Sequence, residues 1–180
     1  PATRVDLERF AILADALDNV HYCLLNVHPQ DVPQRSLDVV GAATYFKTTD
    51  KHVHVSQNDA RNTAAILRMA RVAAEDAGVR GPICSMGGCP TSPLVYMPEV
   101  CDKFFAAIPY GVPFLIVSGA MAGGTAPVTL AGTLVVQNAE VLAGVVLAQL
   151  IRPGAPVVYG TFASNMDMRH GTFVLGGPEL

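Results

Sequence analysis

The feature that most limits what this chain can fold into is a repeat. Five short apolar runs recur along it, centred near Tyr22, Val53, Cys84, Leu115 and Val158, at intervals of 31, 31, 31 and 43 residues. Helix-compatible stretches fill the gaps. A strand and a helix in every repeat is the pattern of βαβ units, which build a parallel sheet. The runs are continuously apolar rather than alternating, as expected of strands covered on both faces. The punctuation repeats as well: Gly81-Pro82, Gly111-Val-Pro113 and Gly154-Ala-Pro156 each stand directly before a strand. Glycine ends helices because it accepts positive φ, and proline is tolerated at the first residue of a strand.

The pattern predicts strands at His21–Asn26, Lys51–Val55, Pro82–Ser85, Pro113–Ser118 and Pro156–Gly160. The first helix spans 4–18 behind a Thr3/Asp6 capping box, and others cover about 34–46 and 97–108. A long helix runs from a Ser56 cap, with Asp59 three residues on, to Ala77. The last begins with Pro127 in the favoured first position and ends near Ile151, and an irregular tail closes the chain.

Two architectures fit, a doubly wound sheet or a (β/α)8 barrel. A doubly wound nucleotide fold places GxGxxG after its first strand. Here that place holds Asn26-Val-His-Pro. The loops after the strands are long and the turns before them tight, which favours the barrel. A complete barrel takes about 250 residues. The expectation is therefore an α/β fold, one partial TIM-type barrel domain over residues 1–180 with about five parallel strands, a piece of a longer barrel.

Composition agrees. Hydrophobic residues make up 51% and charged ones 15%, against about 25% charged in an average domain. Net charge is −3 and no basic run occurs, which speaks against nucleic acid. Cys23, Cys84, Cys89 and Cys101 form no CxxC and read as reduced thiols. The apolar stretch Val141–Ala148 is eight residues long, whereas a membrane span needs about 20, so it reads as part of a buried helix. No signal-like region follows Pro1. The expectation is a cytoplasmic protein with no membrane partner.

In a barrel the chemistry sits just after each strand. Those places hold Asn26 and His28; His54 and Ser56; Ser85, Met86 and Gly87; Ser118, Gly119 and Met121; and Tyr159, Thr161, Asn165 and Asp167. No lysine ends a strand, so a Schiff-base nucleophile is absent from them. No close carboxylate pair occurs there, which weakens a glycosidase. His52 and His54 are two apart on a strand and point the same way, so with Cys84 or Cys89 they could hold zinc, or one lines the barrel and the other bonds locally. Gly119–Pro127 could form an anion nest before a helix, or simply turn sharply. Tyr96, Tyr159, Phe162 and Met121 could wall a cation, or pack in the core. Glu140 lies in a very apolar helix, either buried and paired or facing water.

Residues 118–134, Ser-Gly-Ala-Met-Ala-Gly-Gly-Thr-Ala-Pro-Val-Thr-Leu-Ala-Gly-Thr-Leu, resemble a stretch of the trimethylamine methyltransferase family. So do Gln137-Asn-Ala-Glu-Val-Leu-Ala-Gly144, the run from Gln149 to Gly160, and Ser164-Asn-Met-Asp-Met-Arg-His-Gly171. His52-Val-His54 and Gly81-Pro-Ile-Cys-Ser85 match less sharply, in the right order. Family proteins are considerably longer, so the resemblance implies a central fragment. It implies a (β/α)8 barrel that moves a methyl group from a tertiary or quaternary amine, such as trimethylamine or glycine betaine, to the Co(I) of a separate corrinoid protein. Such a barrel needs neither a side-chain nucleophile nor a metal or cofactor of its own; it holds a cation and aims one methyl group.

On that reading His54, Ser85, Ser118, Met121, Tyr159, Phe162, Asn165 and Asp167 are the candidate substrate contacts, with Tyr159, Phe162 and Asp167 at the cationic end. Gly123, Gly124 and Thr125 are candidates for a substrate carboxylate or for the corrinoid partner's surface. A homo-oligomer is expected as well. Two alternatives stand beside it: a zinc-dependent barrel enzyme using His52, His54 and cysteines, and an inactive fragment serving as a structural module, its open sheet edges favouring association.

Overall fold

A computed structural model of the chain describes Pro1–Val174. Its core is a sheet of five parallel strands: β1 (Tyr22–Leu24), β2 (His52–Val55), β3 (Cys84–Gly88), β4 (Phe114–Ser118) and β6 (Val157–Thr161). Their order in space is their order in the chain. A doubly wound sheet reverses direction at a switch point, whereas successive right-handed crossovers that never reverse keep all the helices on one side and generate a barrel wall. The five strands form an open arc of such a wall, as the repeat implies. β5 (Met121–Ala122), β7 (Ser164–Asp167) and β8 (Thr172–Val174) make a second, three-stranded sheet from the loop after β4 and the chain beyond β6. The expected irregular tail is thus partly ordered, as a β7–β8 hairpin turning at Gly171 with φ +64°.

The helices are α1 (Arg4–Asp15), α2 (Leu37–Thr48), α3 (Thr63–Asp76), α4 (Pro98–Ala107) and α5 (Leu130–Ile151). The Thr3/Asp6 capping box closes the start of α1. Two expected starts move. Ser56 does not cap the third helix; Asp59 caps a short 3-10 turn over Ala60–Asn62, and α3 follows from Thr63. Pro127 does not open α5; Thr129 caps it, its Oγ1 accepting from the Gly132 amide at 3.2 Å. At both sites a side-chain oxygen that satisfies an orphan amide wins over a residue that merely tolerates the position.

The helix-covered face of the sheet carries the core: Val53, Val55, Cys84, Met86, Phe114 and Ile116, packed under residues such as Leu7, Ile66 and Phe104. The Phe104 and Phe114 rings stack with centroids 4.4 Å apart. Helix α5 departs from the expectation of a buried helix. It is 22 residues long, and by length and composition it could cross a membrane. One face, with Thr133, Gln137, Glu140, Val141, Gly144 and Ala148, is buried against the sheet, while Val135, Leu142, Val146 and Leu150 stand exposed.

Candidate functional site

Strand alternation sorts the remaining side chains. With Val53 and Val55 under the helices, His52 and His54 lie on the inner face; with Cys84 and Met86 under the helices, so do Ser85 and Gly87. Leu115, Val117 and Gly160 join them, since a Cβ at Gly160 would meet the Leu115 and Val117 side chains at 3.0 Å. His54 is opposite Ser85 in the β2–β3 register, and its Nδ1 is 3.0 Å from the Ser85 Oγ. Both are buried. Burial pushes the His54 imidazole down to about 4, the neighbouring His52 adding to the effect, and burial lowers His52 as well. Both rings are neutral at neutral pH. Gly87 is required by the arrangement, because a Cβ there would sit 2.7 Å from the Leu115 carbonyl oxygen and 3.0 Å from His54 Cε1.

Ser118 and Tyr159, two of the expected substrate contacts, point the other way. Ser118 follows Ile116 on the helix face and donates to Glu140 Oε2 at 2.5 Å. Tyr159 is opposite Ile116 in register, and its hydroxyl donates to Asn138 Oδ1 of α5 at 3.3 Å. Alternation along β4 and β6, invisible before the faces were assigned, removes both from the inner wall. They belong to the anchorage of α5. Glu140 is its centre: besides Ser118, it accepts from the Ser92 hydroxyl and the Leu94 amide, both at 2.9 Å, and Tyr96 donates to its backbone carbonyl at 2.7 Å. Glu140 is 1% exposed, and none of these donors is charged. Neutral donors thus satisfy a buried carboxylate and tie the loop after β3, the end of β4 and α5 into one unit. Tyr96 packs edge-on against Phe104, and burial, helped by the Glu140 charge, raises its phenol to about 12.

The other expected contacts gather in the loops beyond β4 and β6, apart from His54 and Ser85. The Phe162 ring lies so close to Gly119 that a Cβ there would be 2.5 Å from it. Met121 packs on Gly124 together with Met166, and Met168 packs on Gly123, whose φ is +79°. The result is a patch of thioethers and an aromatic ring on a glycine turn, soft and polarisable. The turn does not match the anion-nest reading. The amides of Gly124, Thr125 and Ala126 donate to the Met121 carbonyl, that of Gly123 donates to the Ala126 carbonyl, and the Thr125 hydroxyl accepts from the Met121 amide. The backbone amides of Gly123, Gly124, Thr125 and Ala126 are thus taken within the loop. Asp167 is likewise engaged, by the Arg169 amide and by His170 Nδ1 at 2.7 Å, and these hydrogen bonds, His170 first, hold its carboxyl below the usual range. It fixes the β7–β8 turn rather than facing a bound cation. Asn165 lines a cavity of about 270 Å³ with Leu130, Thr133, Leu134, Gln137 and Ser164.

The zinc alternative loses its third ligand on geometry. Cys84 lies in the core on the opposite face of the sheet from His52 and His54. Among the described residues no group of three His, Cys, Asp or Glu side chains is placed to hold a metal ion. All four cysteines are free thiols. One structural carboxylate went unnoticed in the sequence. Asp38, 1% exposed, accepts from the Asn58 amide, the Asn58 side chain and the Asp59 amide, and so fastens the loop after β2 to α2. A single acid in the first turn of a helix gives no sign of partners 20 and 21 residues away.

A wall of parallel β/α units, with a buried His54–Ser85 pair on its inner face and a thioether-rich loop cluster beyond β4 and β6, is a segment of a barrel-type α/β fold. The chain matches the trimethylamine methyltransferase (MTTB) family over residues 1–180, and it belongs to that family. It is 38% identical over 180 residues to a trimethylamine methyltransferase of Desulfitobacterium hafniense, covering 99% of this chain and 36% of that protein. To the trimethylamine methyltransferase of Methanosarcina barkeri it is 40% identical over 179 residues, 97% of this chain and 36% of the relative. A glycine betaine methyltransferase of Desulfitobacterium hafniense is 35% identical over 180 residues, 98% of this chain and 38% of the relative. The chain thus spans little more than a third of the length of these relatives.

Proposed function

We propose that this chain is the substrate-positioning arc of a methyltransferase that takes a methyl group from a tertiary or quaternary amine. The observation that carries the reading is the family match along the whole chain, to relatives named for both trimethylamine and glycine betaine. The site's chemistry supports it. The inner face presents His52, His54, Ser85, Leu115 and Val117, with no lysine or carboxylate among them. An ammonium ion on that face would meet neutral rings and apolar walls, which hold a cation without binding it as an ion pair.

The acceptor on this reading is the Co(I) of a corrinoid carried by a separate protein, which supplies the nucleophile. The carbon–nitrogen bond would break as the methyl carbon bonds to cobalt, and the electron pair would leave with the nitrogen. A quaternary amine would depart as a neutral tertiary amine; a tertiary amine would depart as a neutral secondary amine only when it is bound as its protonated ammonium form. The chain's own task is to orient one methyl group and exclude water. The Met121, Met166, Met168 and Phe162 patch is the surface we assign to the partner side, in place of an anion site on Gly123, Gly124 and Thr125. The protein works in the cytoplasm, where a reduced corrinoid persists.

The test is methyl transfer by the intact protein. Incubation with a corrinoid protein, a reductant and a panel of methylated amines should turn the Co(I) absorbance into that of methyl-Co(III). No methylation from any tertiary or quaternary amine would sink the reading.

A further inference from the structure

The small sheet carries the methionine patch, and its hold on the barrel wall is narrow. β4 and β6 pair in parallel from Phe114 opposite Val157 to Ser118 opposite Thr161. β5 and β7 resume with Met121 opposite Ser164, at the same step of 43 residues along the chain. The two chains leave the wall side by side and keep their register, so the small sheet is the wall's own ladder continued past a bend. Two backbone bonds cross that bend: Phe162 donates to the Ser118 carbonyl at 2.9 Å and Ser164 to the Ala120 carbonyl at 3.2 Å. The bend falls on a matched pair of hydroxyls. Ser118 Oγ accepts from the Ala120 amide at 3.4 Å, and Thr161 Oγ1 accepts from the Ala163 amide at 2.9 Å. A serine or threonine hydroxyl bonded to the amide two residues on sets a local turn. Ser118 is fully buried and also donates to Glu140 Oε2 at 2.5 Å, which fixes its rotamer.

We propose that Ser118 and Thr161 are positioning residues for docking of the corrinoid-bearing partner, with Glu140 acting through Ser118. The inference rests on the methyltransferase reading above and adds to it what aims the partner surface. Phe162 stands inside the bend, with its ring on the bare Gly119. Met121 lies just beyond it on β5, and Met166 on β7. The angle of the small sheet therefore decides where this surface meets a second protein. The fully buried side chains at the bend are small, Ala120, Ala122 and Ser164, so hydrogen bonds and not bulk set that angle. Removing one hydroxyl frees its turn without emptying a cavity. Glu140 belongs to α5, so the helix that covers β4 on the other side of the wall also steadies the bend. Transfer needs the methyl group and its acceptor in line, and a misplacement on the order of 1 Å costs about a hundredfold in rate.

Three variants of the intact protein test this, read by titration with the corrinoid protein of the methylation assay and by amide hydrogen exchange. Ser118→Ala should weaken docking about tenfold and speed exchange at the Phe162 and Ser164 amides by about the same factor. Thr161→Val keeps the branched shape at an exposed position and should act in the same direction, less strongly. Ser92→Ala is the control. Its hydroxyl donates to the same Glu140 oxygen but holds the loop after β3. It should lower the denaturation midpoint as Ser118→Ala does and leave docking and both amides unchanged. Docking weakened equally by Ser92→Ala and Ser118→Ala reports a general loss of stability and overturns the proposal. Docking unmoved by both Ser118→Ala and Thr161→Val overturns it too, as does an unaltered protein that does not bind the corrinoid protein. Should Ser118→Ala fail to fold, Thr161→Val decides by the same two readings. Failure of this proposal and of the one it rests on is separable. Docking that responds to Ser118→Ala, without methyl transfer from any amine, rejects the amine reading alone. Methyl transfer with docking indifferent to both hydroxyls rejects the positioning role alone.

Discussion

Helices α3 and α5 pack on the same sheet and solve opposite problems. α3 buries Thr63, Ile66, Leu67, Ala70 and Ala74 and turns Arg68, Arg71, Glu75 and Asp76 to water. That is the ordinary amphipathic arrangement. α5 inverts it. Its buried face is mostly small or polar, with Thr133, Gln137, Glu140, Gly144 and Ala148 beside the apolar Val141, and its outer face is Val135, Leu142, Val146 and Leu150. α3 is anchored by apolar burial and finished by solvent. α5 is anchored by hydrogen bonds to one carboxylate, and its outer face is finished for a cover. Small residues at Gly144 and Ala148 let the helix come close to the sheet; a Cβ at Gly144 would strike Tyr96 and lie 2.9 Å from Ile116.

The largest effect should come from breaking α5's anchor. Glu140→Ala removes the acceptor of Ser92, Ser118 and the Leu94 amide at once, and we expect a loss of about 3–5 kcal/mol in chemical denaturation. Glu140→Gln keeps one acceptor and should cost about half as much. Ile66→Ala tests the α3 mode by cavity formation and should cost about 2–4 kcal/mol. If Glu140→Ala costs no more than an exposed substitution, the anchor assigned to α5 is wrong and the contrast collapses.

A pH titration separates the two sides of the sheet. The His54 imidazole titrates near 4 in the fold against about 6.5 when unfolded. The unfolded chain therefore binds more protons between these values. Stability is complete above pH 6.5 and falls as the pH drops through that window towards 4, by about 3 kcal/mol in total. His54→Phe should flatten the slope in that interval. A slope unchanged by the substitution would show that the ring titrates normally.

The sequence made the sheet legible because its signals are local and repeated: a stop glycine, a proline, an apolar run. Gly111 and Gly154, expected as helix stops, do adopt positive φ at +74° and +78°. Helix starts were less legible, since Asp59 and Thr129 compete with Ser56 and Pro127 for the cap and three-dimensional packing decides. The site was half legible. His54 and Ser85 were named separately, and the register brought them together. Ser118 and Tyr159 were lost because strand ends reveal depth along a barrel but not which face a side chain takes. The role of Glu140 stayed open because a single acid in an apolar helix gives no sign of partners 22 and 48 residues away.

The smallest effect on stability, and the sharpest on the contrast, concerns the outer stripe of α5. Val135, Leu142, Val146 and Leu150 fall on one side of the helix, opposite the buried Gly144 and Ala148. Adjacent helices of a barrel wall meet at their flanks, so a stripe facing directly away from the sheet is not covered by the neighbouring helices of the described residues. It carries no charge, since the single ionisable residue of the helix, Glu140, points inward, and two copies of the stripe can therefore pair without repulsion. We expect the chain to associate with itself through this face. The double substitution Val146→Glu, Leu150→Glu should change folding stability by less than about 0.5 kcal/mol, as an exposed site does, and raise the monomer fraction in light scattering. Val72→Glu, an equally exposed apolar site on α3, should leave the monomer fraction alone. If the α3 variant dissociates the chain and the α5 variant does not, α3 is the helix built for a cover.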